Sequence, residues 1–575
     1  AWLSSTIVAA RWLAGPRGHM PEIYFEAGAA IVAFVMIGKL LESRARARIG
    51  EAVRGLMSLA PARARVVADG GEREVEAAAL QAGDVIGVRP GERLAADGTI
   101  VEGESALDES MLTGESLPVD KTEGSPVYAG TLNHHGALRV RVARAGGDTA
   151  LARIARAVED AQGSKAPIAR LADRVSAYFV PAVLAIALAT GAAWMIAGAS
   201  FSEALARTIA VLVIACPCAL GLATPAAVAV GTARGAQLGV LFQGGGALET
   251  ASHVDVVCLD KTGTLTAGKP VLVHFEGADD ALRLAASAEQ ASEHPIARAI
   301  VDGARARGLA LSPAERARIE PGGGIAARVD GHDVRVGTRE FAEQLGRQDA
   351  MHATTDAKAI FETDRLASVS AASASWRPIS SESFVSIDGV VGGAVYVADP
   401  PHEDAKAVLG KLRELGVEPV MITGDREAAA RAVAGELGIE RVHAEVRPTG
   451  KAAIVEAEKQ GGRRVAMVGD GINDAPALAA ADLGVALGSG ADVAAAAADV
   501  TLLRGGIAAL PTALGLARAT MRTIRRNLAA AFAYNLVCIP VAAAGLLSPV
   551  LASAAMSLSS VSVLLSSLRL RGFLR

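Results

Sequence analysis

Four long apolar runs, at residues 23–41, 175–198, 204–230 and 528–547, constrain this chain more than any other feature. A helix needs about 20 apolar residues to cross a bilayer, and each run is near or above that length. A fifth run, 550–568, is rich in Ser and uncharged until Arg569. Hydrocarbon offers no water to backbone polar groups, so such segments fold as helices rather than open strands or loops. Residues 1–15 are apolar apart from Arg11 but too short to span. They read as the second half of a helix, which brings the expected membrane helices to six, in a chain that reads as N-terminally truncated.

Basic residues suggest an orientation. Arg44, Arg46 and Arg48 follow the second expected helix, Arg522, Arg525 and Arg526 precede the fifth, and Arg569, Arg571 and Arg575 end the chain. The positive-inside bias then puts the large polar regions in the cytoplasm. A net charge of -4 with both signs abundant argues against a nucleic-acid partner. The only cysteines are Cys216, Cys218, Cys258 and Cys538, too few and too scattered for a secreted framework, and no structural disulfide is expected.

Between the spans, residues 42–165 alternate short Val-rich strands with Gly and Pro turns and read as a small β-rich domain. The block 240–512 begins and ends like one doubly wound α/β domain, with a further domain inserted at about 271–393. Its apolar strands end in Asp260-Lys261-Thr262, Thr423-Gly424-Asp425 and Gly469-Asp470. Parallel strands ending this way gather acidic groups at one carboxyl edge of a sheet. Residues 347–385 are Ser/Ala-rich and atypical for the inserted domain.

An Asp at a strand end is chemically a nucleophile that can take up a phosphoryl group, splitting hydrolysis into two steps. Such transfer rests on positioning and charge neutralisation. Asp470 with the Thr262 carbonyl would hold Mg²⁺, a cation that prefers oxygen. Asn473 and Asp474 would support the phosphate site, and Lys451 and Thr423 would contact its oxygens. Cys216-Pro217-Cys218 sits inside the third long run. Proline there removes a helical hydrogen bond, which lipid tolerates only where the freed groups line a site. Thiolates on both sides of that break are soft ligands suited to Cu(I) or Zn.

The string Asp260-Lys261-Thr262-Gly263-Thr264-Leu265-Thr266 resembles the phosphorylation signature of the P-type ATPases. The resemblance implies a multidomain membrane protein. Its parts would be a helical transmembrane bundle, a β-rich actuator domain, an α/β haloacid-dehalogenase-like phosphorylation domain and an inserted α+β nucleotide-binding domain. On this chain they would occupy 1–41, 166–239 and 513–575 (membrane), 42–165 (actuator), 240–270 with 394–512 (phosphorylation) and 271–393 (nucleotide). ATP and Mg²⁺ are the implied cofactors. Thr113-Gly114-Glu115-Ser116 resembles the dephosphorylation loop, with Glu115 directing water at the acyl phosphate. Thr262, where a plain phosphatase would carry a second Asp, implies a long-lived phosphoenzyme.

Ser292-Glu293-His294-Pro295 reads as a helix start capped by Ser292. It also resembles the nucleotide motif of the heavy-metal branch, with His294 and Glu289 near the adenine and the Gly322-Gly323-Gly324 turn near the nucleotide. Tyr534, Asn535, Met556 and Ser560 resemble the Cu(I) ligands of the copper-exporting subgroup. The Lys and Asp expected of zinc exporters are missing between 528 and 568. Glu26 and Asp173 resemble the exit-side and entrance-side carboxylates. The resemblance implies ATP-driven export of Cu(I), or of Ag(I), supplied by a soluble copper donor across a prokaryotic plasma (inner) membrane. The alternatives are a Zn/Cd exporter, or a non-transporting metal-binding membrane protein if the N-terminal metal-binding domain and two and a half helices are missing.

Overall fold

The computed structural model describes residues 2–14, 25–26, 28–33, 35–37, 39–40, 43–44, 60–68, 71–109, 118–153, 156, 167–216, 218–266, 268–320, 322–344, 381–469, 474–488, 498–503 and 505–574. The chain divides into two compact units, residues 1–254 with 488–575, and residues 255–487.

In the first unit, residues 63–144 form two antiparallel sheets. The larger runs in the order Gly71–Glu76, Arg63–Ala68, Val85–Val88, Leu138–Arg144, Asp97–Glu102, Pro126–Val127, and the smaller is Val119–Lys121, Ser105–Asp108, Leu132–Asn133. Leu138–Arg144 alternates buried and exposed residues, as a strand with one face on a core must. Ile86, Leu94, Ile100, Leu107 and Val140 fill that core. Buried Asp97 accepts hydrogen bonds from the backbone N–H groups of Ala129 (2.8 Å) and Ala150 (2.7 Å), tying two loops to the sheet. The expected β-rich region is therefore present.

Among the described residues three helices are long and apolar enough to cross a membrane: Pro167–Ile196, Gly506–Ala543 and Pro549–Gly572. The expected span at 23–41 is described only in part, as the short apolar helix Gly28–Ile37. The run 204–230 is two helices, Phe201–Ile214 and Cys218–Gln237, where the sequence places Cys216-Pro217-Cys218 at the junction. Ser200 and Glu203 form a reciprocal capping box that starts the first of them. The same helix carries a charge, Arg207, whose guanidinium lies 5.5 Å over the Trp194 ring. A cation–π contact lets a cation share an otherwise apolar stretch. The helix Leu510–Ala543 extends well before the apolar run, and the helix Pro549–Leu568 matches it.

The second unit holds a five-stranded parallel sheet in the order Leu483–Leu487, Val465–Gly469, Val256–Asp260, Glu418–Ile422, Arg441–His443. Parallel strands covered on both faces are continuously apolar, and all five residues of Val256–Asp260 are buried. Between its strands Val256–Asp260 and Glu418–Ile422 the chain inserts a six-stranded antiparallel sheet spanning Val271–Glu276 to Val390–Ala398. Helices Asp279–Glu289 and Pro295–Ala306 cover it, with Leu282, Ile300, Val329 and Val395 in the core. The strand Val240–Phe242 pairs antiparallel with Val500–Leu502.

Candidate functional site

Asp260 ends the central strand of the parallel sheet, and the chain leaves through a turn at Lys261–Leu265 in which Gly263 takes φ 71°. That left-handed conformation suits glycine. Lys451, first residue of the helix Lys451–Glu458, reaches back so that its Nζ donates to Asp260 Oδ1 at 2.9 Å and to Asp474 Oδ1 at 2.7 Å. Desolvation pushes the Asp260 carboxyl up to about 6, and the Asp474 charge adds to the rise while Lys451 opposes it. Desolvation works against the Lys451 ammonium too, but its bonds to Asp474 and Asp260 outweigh it and raise its pKa.

Two carboxylates against one ammonium leave this buried place short of positive charge. Asp474 Oδ2 and Thr264 Oγ1 are buried without a hydrogen-bond partner among the described residues. Oxygen donors and unbalanced negative charge fit a hard divalent cation. Thr262 is exposed beside Asp260 in extended backbone. Asp470 and Asn473 lie outside the described residues, as does Glu115.

Thr423 is buried at the end of the neighbouring strand, and its Oγ1 accepts from the Asp425 backbone N–H at 3.1 Å. Asp425 forms an ion pair with Lys261, which joins the two strand-end loops. Thr266 Oγ1 donates to Asp399 Oδ2 at 2.6 Å, and the His402 N–H donates to the Leu265 carbonyl at 2.9 Å. The turn after Asp260 is thereby fixed to the segment that returns from the inserted domain. Sequence reasoning missed Asp399; the signal was an Asp before Pro400-Pro401, at the far boundary of the insertion.

In the inserted domain, Glu289, His294, Gly322 and Gly324 come together around a cleft of about 380 Å³, with Glu320, Thr338 and Glu382 also on its walls. His294, not Ser292, caps the helix Pro295–Ala306: its Nδ1 accepts from the Ile296 N–H, while Ser292 Oγ accepts from the His294 N–H. Pro295 occupies the first helical position, and the cap falls on the residue directly before it. Gly324 has φ 157°, and a Cβ there would collide with the Val336 carbonyl and Gly337 Cα. Glycine is thus required where the hairpin passes closest to the next strand. Burial alone pushes the Glu289 carboxyl up to about 7.

In the membrane segment a cavity of about 10 Å³ is lined by Cys216, Leu220, Ala531, Tyr534, Asn535, Met556 and Ser559. Four of the residues predicted from sequence therefore converge. Ser559, rather than the predicted Ser560, faces this cavity; Ser560 is buried one position along the helix. The Tyr534 hydroxyl is buried, one turn from Cys538 on the same helix. The helix Cys218–Gln237 starts at the second cysteine, whose side chain lies outside the description, as does Pro217. Against the sequence expectation, Cys216 is disulfide-bonded, whereas Cys258 and Cys538 are free. Metal ligation requires thiolate, so the metal-competent form is the reduced one. Glu26 and Asp173 are exposed and do not line the cavity. No group of three or more His, Cys, Asp or Glu converges among the described residues.

Residues 58–159 match the P-type ATPase actuator domain, and residues 254–482 match the haloacid dehalogenase-like hydrolases. A probable copper-exporting P-type ATPase V of Mycobacterium tuberculosis is 47% identical over 556 residues, covering 96% of this chain and 70% of that protein. A copper-exporting P-type ATPase of Bacillus subtilis is 44% identical over 565 residues, covering 97% of this chain and 68% of that protein. Among solved structures, a zinc-transporting PIB-type ATPase in its E2.Pi state aligns with a TM-score of 0.62 at 36% identity, over 94% of this chain and 86% of that one. With a strand-end carboxylate and a helix-capping one bridged by a buried lysine, an inserted domain with its own cleft and relatives this close over nearly its whole length, the chain belongs to the P-type ATPase family.

Proposed function

We propose that the protein exports Cu(I), and Ag(I) by the same soft chemistry, driven by ATP through an aspartyl phosphate on Asp260. The observation that carries the metal assignment is the lining of the small membrane cavity. Cys216 and Met556 supply sulfur, Tyr534 and Asn535 supply neutral oxygen, and no carboxylate or lysine lines it. Sulfur donors favour a soft monovalent ion, whereas Zn²⁺ in such a place would call for a charged partner. The copper-exporting relatives support the same choice, and the zinc-transporting structure supports the shared architecture.

In this reading Asp260 attacks the terminal phosphoryl group of ATP, and Lys451 and Thr423 offset charge on the transferring oxygens. Asp260, the Thr262 carbonyl and Asp470 would hold Mg²⁺, which supplies further charge neutralisation when bound; Asn473 and Asp474 would shape the phosphate site. Glu115 would then direct water at the acyl phosphate. Glu289 and His294 would hold the adenine, with the nucleotide passing over Gly322 and Gly324. Cys218 would complete the metal site with Cys216, and Ser559 competes with Ser560 for the remaining position. Glu26 and Asp173 would lie where the ion leaves and arrives. A soluble copper donor would load the pump from the cytoplasm of a prokaryotic cell, with the bilayer its inner membrane.

The test is metal-stimulated ATP hydrolysis by reduced protein. Cu(I) and Ag(I) are expected to stimulate, with acid-stable labelling from ATP that Asp260→Asn abolishes. Stimulation by Zn²⁺ alone would overturn the copper assignment, and persistent labelling in Asp260→Asn would overturn the nucleophile.

A further inference from the structure

The inserted domain carries a buried acid with nothing to balance it. Glu289 closes the helix Asp279–Glu289, is only 8% exposed, and borders the 380 Å³ cleft. No side chain among the described residues bonds or ion-pairs with its carboxyl. The cations on the elements packed around this helix are engaged elsewhere or exposed. Arg305 pairs with Asp302, Arg335 stacks on the Phe341 ring and binds the Gln344 carbonyl, and Arg298 and Arg328 are exposed. His332 pairs with Asp388. Of the acids nearby, Glu382 accepts from the Tyr396 hydroxyl and Glu320 is exposed. His294, which also lines the cleft, accepts the Ile296 backbone N–H at Nδ1. A carboxyl in such a place favours its neutral form.

We infer that Glu289 acts as a protonated carboxylic acid that selects adenine, its O–H donating to ring N1 and its C=O accepting from the exocyclic amine, so that nucleotide choice is set by pH. The inference rests on the proposed seating of the nucleotide in this cleft and adds the chemical state that makes the seat specific. A neutral acid presents one donor and one acceptor side by side, the complement of adenine's Watson–Crick edge. Guanine presents N1–H and an amino group there, two donors, which a carboxylate complements and an acid does not. Burial of Glu289 without a partner places the change between these forms close to neutral pH. No proton is transferred to the nucleotide; only the population of the binding form changes.

Apparent affinity falls with the fraction of competent protein. ATP binding to the full chain in detergent should therefore weaken about tenfold between pH 6 and pH 8, while GTP binding holds or tightens. Glu289→Gln keeps a donor and an acceptor at all pH values. It should hold ATP at the affinity of the acid form, and its ATP-to-GTP ratio should be flat across that range. The probes are ATP and GTP themselves, followed by equilibrium titration, with the ionisation of the phosphates common to both proteins. If wild type and Glu289→Gln show the same pH dependence, the acid-form selector is wrong while the cleft assignment stands. If Glu289→Ala and Gly324→Val both bind ATP as wild type does, the nucleotide does not sit in this cleft and both ideas fall.

Discussion

The Asp260 centre and the Cys216 cavity are both buried polar places at a break in regular structure, yet they solve opposite electrostatic problems. Around Asp260 two carboxylates and an ammonium stand within 2.9 Å hydrogen-bond contacts, and a carboxylate oxygen of Asp474 is left over. Around Cys216 no Asp, Glu, Lys or Arg is among the described residues that line the cavity, which measures only about 10 Å³. The first is arranged for hard, highly charged oxygen chemistry, in which buried charges need nearby opposite charges. The second suits one desolvated soft ion, held by polarisable thiolate and thioether sulfur rather than by carboxylate oxygen. A carboxylate in the membrane cavity would favour harder divalent ions, and the Cys258 thiol two residues before Asp260 is buried and pushed up to about 12, so it is no ready thiolate for copper.

Removing the shared cation should separate the two regions most sharply. Lys451→Met leaves Asp260 and Asp474 facing each other without their common donor. Labelling from ATP should drop at least about 100-fold, the loss typical of one preorganised donor at a developing charge. Metal binding measured directly on the reduced protein should stay within a factor of two or so, since Lys451 is not among the residues that line the cavity. A large loss of copper affinity in this variant would mean that the two regions are not electrostatically separate. Met556→Leu is the converse. It conserves volume in the cavity but removes a sulfur donor, so the Cu(I) concentration for half-maximal ATPase stimulation should rise on the order of tenfold. Labelling of Asp260 at saturating metal should survive. If copper stimulation is unchanged, Met556 packs rather than ligates.

Much of this contrast was legible in sequence because both regions rest on local rules. A buried apolar strand ending in Asp, followed by a glycine that tolerates a left-handed turn, fixes where Asp260 must emerge. A proline between two cysteines in an apolar run predicts the break between Phe201–Ile214 and Cys218–Gln237. Less legible were contacts between segments far apart in the chain. Thr266 with Asp399 spans 133 positions, and no spacing rule joins them. Which of Ser559 and Ser560 lines the cavity is a matter of about 100° around a helix, which periodicity does not resolve where both neighbours are Ser. His294 displaced Ser292 as the cap because Pro295 fixes the first helical position, and only the residue before it can take the extended cap conformation with its side chain turned back on the helix. Arg207 was hidden in a run that averages as apolar, and its accommodation depends on Trp194, which belongs to another helix.

The smallest expected effect is a pH dependence that belongs to one region only. Asp260 titrates at about 6 in the folded protein against 3.8 as its ordinary value, chiefly because burial disfavours the charge. Between those values the folded protein holds a proton that the unfolded chain has released. Stability without Mg²⁺ should therefore fall as pH rises from about 4 to about 6, and change little from this source on either side. Asp260→Asn should remove that slope from a denaturation series, whereas Cys216→Ser should leave it in place, because the membrane cavity contributes no carboxylate. The same protonation bears on chemistry, since only ionised Asp260 can attack. The initial rate of labelling should drop about twofold from pH 7 to pH 6 if Asp260 keeps this value with ATP bound. An undiminished slope in Asp260→Asn would assign the titration to another group of the centre, Asp474 first, and would make the two carboxylates bridged by Lys451 a single proton-sharing unit rather than a nucleophile with a bystander.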